Sequence, residues 1–255
     1  MTQFKNTKNR INNYIGLGKN RIIIGLVLIP IITAIEFVIL TNNYKNSDYI
    51  LSMGDFLLNT GDVIIFYINL VIIPCLIISV LTKMEFTVNS ITRYSSKKDV
   101  FLKQFKLVFV IVVAVVLYQF LITTILGNIM TETNMNFSQT NSVFCFENQG
   151  KTATVSLLFV YAVTALFCFL SSLLFCTLHL MNKWLIGNDV VGFCILIFCF
   201  ILDYAGKGIC AFFGVGYEKW LPYNAINLIL ILLLIFIIFI IGAVASIRKE
   251  FLNAK

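Results

Sequence analysis

The chain has 255 residues, of which 59% are hydrophobic and 12% charged, with a mean hydropathy of +0.93 and a formal net charge of +7. Soluble globular domains lie nearer roughly 45–50% and about 25%. The composition therefore excludes a soluble enzyme, a disordered chain and a disulfide-dense secreted domain, and it points to an all-α polytopic membrane protein. The positive charge sits in short segments between apolar runs, which is the pattern of membrane topology rather than of nucleic-acid binding.

Residues 1–20 carry Lys5, Lys8, Arg10 and Lys19 but no short apolar core followed by a cleavage site, so no cleavable signal is expected. Phe4, Ile11, Tyr14 and Ile15 share one helical face. This predicts a cytosolic surface helix stopped near Gly16 and Gly18, with a disordered tail as the competing reading. A crossing needs roughly 20 apolar residues at about 1.5 Å each. Residues 22–41, 63–82, 107–127, 153–181 and 223–246 meet that length. The stretch 190–204 is weaker, and a second apolar patch, 209–215, follows it among Gly206, Gly208, Gly214 and Gly216. The prediction is a short fifth span, then a re-entrant hairpin in the outer leaflet, with Trp220 and Tyr223 as interfacial anchors. The whole chain reads as a single transmembrane domain of six spans.

Charge sets the orientation. With the N-terminus in the cytosol, 15 of the 19 Lys and Arg residues fall inside, and only Lys45, Lys151, Lys207 and Lys219 fall outside. Six spans then place both termini in the cytosol.

Chemistry is sparse. His179, the single histidine, cannot hold a metal alone and reads as structural or interfacial. The run from Cys145 to Thr152 ends in Gly150-Lys151-Thr152 but lacks the first glycine and the preceding strand of a phosphate-binding loop, so it reads as a polar outer loop. Cys75, Cys168, Cys176, Cys194 and Cys199 lie in spans as small apolar packers, while Cys145 and Cys210 both fall on the outer side, where pairing across two outer loops is the lesser reading. Glu36 lies about 21 Å along the first span at 1.5 Å per residue. An acid at that depth faces the bundle interior or a wet cavity. Glu36, Asp203 and Gln119 are the candidate substrate-pathway groups. The competing reading is structural hydrogen bonding, which for Tyr118 and Gln119 is the first reading.

The segment 83–106 is the largest and most basic cytosolic loop, and it also carries Phe86, Val88, Ile91, Tyr94 and Phe101. Apolar groups on a cytosolic loop mark either a docking surface or a short interfacial helix that turns the chain around. The run Ile91-Thr92-Arg93-Tyr94-Ser95-Ser96-Lys97-Lys98 resembles the coupling helix of type-2 ABC exporter permeases, in which Ile-x-Arg-Tyr-Gly-Ser-Arg/Lys is frequent. Here Ser95 stands in place of the glycine, and Val100-Phe101 where an aromatic such as Trp is common. The resemblance implies a plasma-membrane permease subunit without catalysis or cofactor of its own. It implies pairing with a second permease copy or a related permease, and drive from a separate ATPase that binds ATP and Mg and grips residues 91–98. Size and composition are similar to the small Gram-positive permeases that export phenol-soluble modulins or antimicrobial peptides, or confer immunity to them. Such a chain would contact an amphipathic or toxic peptide and membrane lipid, and no nucleic acid. A non-transport scaffold or sensor with a lipid-binding basic loop is the alternative.

Overall fold

A computed structural model describes residues 2–45, 47–83, 96–206 and 225–248. Eight helices follow one another among them. They are α1 (Thr2–Tyr44), α2 (Met53–Asn59), α3 (Val63–Thr82), α4 (Lys97–Met130), α5 (Val143–Glu147), α6 (Leu157–Ile186), α7 (Asp189–Tyr204) and α8 (Ala225–Arg248). There is no strand among the described residues, only two isolated parallel bridges, Ile50 with Ser142 and Ser52 with Thr133. Five stretches are long and apolar enough to cross a membrane: Asn20–Tyr44 of α1, α3, α4, α6 and Ile229–Ile247 of α8. The chain is an all-helical, multi-pass membrane protein.

Two expectations need correction or trimming. The predicted stop at Gly16 and Gly18 does not occur, because α1 runs unbroken from Thr2 to Tyr44. A glycine inside a helix costs only about 1 kcal/mol relative to alanine. Neither Gly16 nor Gly18 is followed by a proline, and the apolar run beyond them keeps its backbone paired within the helix. A helix, α7, stands where the short fifth span is expected, but its 16 residues reach only about 24 Å, short of the ~30 Å hydrocarbon core, and it is not among the five long apolar stretches. The hairpin 209–215, Cys210, Trp220, Tyr223 and the loop residues Met84 to Ser95 lie outside the described residues.

The core gathers on α6, which packs against α3, α4, α7 and α8. Its buried face includes Phe167, Leu174, Phe175 and Trp184. Around Phe175, Phe66 and Tyr67 of α3 pack ring to ring at 6.1 and 5.2 Å. The spans of α1 and α8 lie at the periphery and turn Ile23, Val27, Ile31, Ile229, Leu233 and Phe236 outward, the normal state of an apolar face in lipid. The connection between α6 and α7 is two residues, with Gly187 in the left-handed region (φ 80°) and its N–H on the Lys183 carbonyl at 3.0 Å. That is a glycine helix stop.

The segments 45–62 and 131–156 knit into a small cap at one end of the bundle. Ile50 N–H donates to Asn141 (2.8 Å), Met53 N–H to Thr133 (3.0 Å), and Asn136 Nδ2 to the Ile50 carbonyl (2.7 Å). Phe137 stacks on Phe144 at 4.0 Å, and Tyr44 at the end of α1 donates to Glu147. Helix α2 is buried under this cap. Ser52 donates through both N–H and Oγ to Asp55 Oδ2 at 2.7 Å, an N-terminal cap that fixes where α2 begins. Cys145 is a buried free thiol within the cap.

Candidate functional site

Polar side chains inside a lipid-embedded bundle are costly unless they bond to one another, so their placement locates the sites. The first set centres on α3, whose residues Phe66–Ile72 form a π-helical stretch. Such stretches add a residue to the turn and often accompany function. Tyr67 and Asn69 lie two positions apart on it and therefore face roughly opposite ways.

On the Asn69 side, five fully buried residues from α1, the approach to α3, α3 itself and α4 form one network: Thr33, Thr60, Asn69, Gln119 and Thr123. Asn69 Nδ2 donates to Gln119 Oε1 (3.0 Å) and Thr33 Oγ1 (3.1 Å). Gln119 Nε2 donates to Thr33 Oγ1 (3.1 Å) and Thr123 Oγ1 (3.3 Å). Thr123 and Thr60 share a hydroxyl–hydroxyl bond of 3.2 Å. Thr33 returns its own proton to the Ile29 carbonyl at 2.8 Å. On the Tyr67 side, the phenol donates to Asp203 of α7, a carboxylate only 3% exposed. Tyr67 is framed by Phe66, Phe175 and Phe200.

The three predicted pathway groups are thus not brought together. Gln119 bonds within the α1–α3–α4 network, and Asp203 bonds across α3 on its other flank. Glu36 is half-buried, one turn from Thr33, with Asp62 as the charge acting on it and no hydrogen-bond partner among the described residues. Thr33, Thr60, Tyr67, Asn69 and Thr123 were not singled out from sequence. Their only signal was a polar side chain inside or beside an apolar run, which does not say whether the group finds a partner.

A second set lies at the end of α3 that leads into the basic loop. Lys183 of α6, its side chain 7% exposed, donates to Thr82 Oγ1 of α3 (3.0 Å) and to Asp189 at the start of α7 (3.0 and 3.1 Å). His179 Nε2 and Ser79 Oγ share a bond of 2.8 Å. Ser79, His179 and Asp189 have the composition of a hydrolytic triad but not its geometry. Asp189 Oδ1 lies 3.9 Å from Nε2, the same nitrogen that Ser79 occupies. In a triad the acid orients the other nitrogen. His179 Nδ1 instead meets Gly192, where an added Cβ would sit 2.5 Å away. The carboxylate serves Lys183, and the histidine ties α3 to α6.

Of the predicted coupling residues, Ile91, Thr92, Arg93, Tyr94 and Ser95 fall outside the described residues. Ser96 is the N-cap of α4, where its Oγ accepts from Asp99 N–H (3.1 Å) and donates to Asp99 Oδ2 (2.8 Å). Lys97 and Lys98 begin the helix, Lys97 half-buried and Lys98 exposed. Among the described residues, no group of three or more His, Cys, Asp or Glu side chains is placed to hold a metal. No known protein family, curated protein or solved structure matches the chain.

Proposed function

We propose that this chain is the transmembrane permease subunit of an ATP-driven exporter of the type-2 ABC kind, moving amphipathic or toxic peptides outward. The observation that carries the proposal is the basic segment Ile91 to Lys98 that leads from α3 into α4, in a chain whose described residues hold five helices long and apolar enough to cross a membrane. Lys97 and Lys98 occupy the first turn of α4, where the positive end of the helix dipole disfavours cations by roughly 0.3–1 kcal/mol each. Their placement fits a demand from outside the helix, either topology or a partner. ATP and Mg belong to that partner, a separate ATPase, and this chain performs no catalysis.

The contacts at the two ends of α7 also support a sixth crossing. Its Asp189 end meets Lys183 beside Thr82, the last residue of α3, and its Asp203 end meets Tyr67, near the first residues of α3. The helix therefore climbs most of the height of a full span. With the hairpin expected at 209–215 completing the outer half, six crossings bring both termini to the cytosol. The permease acts as a dimer, with a second copy or a related chain.

Affinity purification of the tagged chain in mild detergent tests the reading. A nucleotide-binding subunit should co-elute, and Arg93→Glu or Tyr94→Ala should uncouple its ATP turnover while leaving membrane insertion intact. Insertion without any co-eluting ATPase, together with binding of the loop to anionic vesicles, would establish the scaffold alternative instead.

A further inference from the structure

The end of α3 and the start of α4 that flank residues 84–95 are both anchored, and both anchors are on consecutive residues of one helix. On its N-terminal side the loop leaves α3 at Thr82, which is fully buried and accepts from Lys183 Nζ at 3.0 Å. On its C-terminal side it enters α4, whose second turn is held by Trp184. The indole Nε1 donates to Gln104 Oε1 at 2.8 Å, and the ring meets Phe101 edge-on at 6.1 Å. Both Gln104 and Trp184 are buried.

Each anchor then reaches one element further. Lys183 passes to α7 through Asp189. Phe101 passes to α8, where it contacts Phe239 at 5.6 Å and lies so close to Gly242 that an added Cβ would meet its ring at 2.7 Å. Helices α3, α4, α7 and α8 therefore converge on two neighbouring side chains. No other pair of adjacent residues described above joins both ends of one loop.

We infer that Lys183 and Trp184 of α6 are the positioning residues through which a load on the basic loop enters the bundle, Lys183 steering α3 and α7, and Trp184 steering α4 and α8. This rests on the reading of the loop as the grip of an ATPase, and it adds where the motion goes. A rigid core transmits displacement through packed contacts with discrete arrangements. A hydrogen-bonded cation and a wedged indole are such contacts.

The chain contains only two tryptophans, Trp184 and Trp220, so Trp220→Phe leaves Trp184 as its sole indole and a built-in reporter. The Trp220→Phe chain is purified in nanodiscs with whatever ATPase co-elutes. Its emission is compared, after subtraction of the ATPase alone, between the nucleotide-free state and the state trapped with ATP, Mg and vanadate. The inference expects a shift of the Trp184 emission maximum on trapping. Lys183→Met should abolish the shift while the ATPase still co-elutes, and Lys183→Arg, which keeps a cation within reach of Thr82 and Asp189, should retain it. An unchanged emission with the ATPase bound and trapped overturns the inference and leaves the exporter reading standing. Absence of any co-eluting ATPase overturns that reading and this inference with it. Should Trp220→Phe not insert, the same comparison is made as the trapping-dependent difference between the parent chain and Trp184→Phe, which keeps an aromatic ring and removes the indole.

Discussion

Asn69 shows what a single side chain can hold together in this bundle. Its amide N–H groups serve α1 and α4 at once, and its Oδ1 has no partner among the described residues. Replacement by leucine keeps the volume and removes the bonds donated to Thr33, Gln119 and the Ile29 carbonyl. At about 0.6 kcal/mol per interhelical bond in a membrane, and up to about 2, Asn69→Leu should destabilise the protein by roughly 1–2 kcal/mol, read as a lower unfolding midpoint in detergent. His179 gives a sharper test, because its contact is steric. Gly192→Ala places a methyl against Nδ1 and drives the ring off Ser79, with an expected cost of about 1–3 kcal/mol. His179→Ala clears the space. The double variant should therefore cost less than the two single changes added together, a non-additivity that a double-mutant cycle in the same unfolding assay measures directly.

At the scale of elements, the capped start of α2 and the joint between α6 and α7 make the clearest claims. Ser52→Ala removes a hydroxyl that donates to the buried Asp55 carboxylate and should cost about 1–2 kcal/mol. Gly187→Ala forces a side chain into the left-handed region and should cost roughly 1–2 kcal/mol. Both are measurable by thermal or denaturant unfolding. The long spans were legible in the sequence because one property, an unbroken apolar run of sufficient length, is enough to specify them. The stop at Gly16 and Gly18 was misread because local propensity was weighed without the continuous backbone pairing that extends through it. The π stretch in α3 left no local signature, since residues 66–72 are as apolar as their neighbours apart from Asn69. The cap was equally hidden. Its order comes from Ile50, Met53, Asn136 and Phe137 meeting partners some 80–100 positions away in sequence or across a turn, and no window of sequence contains such pairings. Glu36, Asp203 and Gln119 were recognisable as polar groups in costly places, but their different surroundings emerge only once α1, α4 and α7 are set around α3.

For the whole molecule, orientation is the property from which the rest follows. With the basic loop inside, the cap formed by 45–62 and 131–156 faces out. In intact cells a membrane-impermeant maleimide should label Asp48→Cys and Lys151→Cys, both exposed positions of the cap region. Lys98→Cys should label only after the membrane is opened. The reverse pattern would invert the protein and remove the ATPase from reach of the loop. A reporter fused at the C-terminus should be active on the cytosolic side, which separates six crossings from five.

The two-residue joint at Gly187 and Asn188 also bears on how the protein is made. Sixteen residues are too few to halt in a bilayer unaided, and no slack exists between α6 and α7 for the latter to wait outside. If α7 crosses, the two helices leave the insertion machinery as one folded hairpin, with Lys183 already paired to Asp189 at its joint. Lengthening this joint with a polar spacer would release α7 from its escort during synthesis, and the newborn chain would emerge with its last quarter threaded the wrong way.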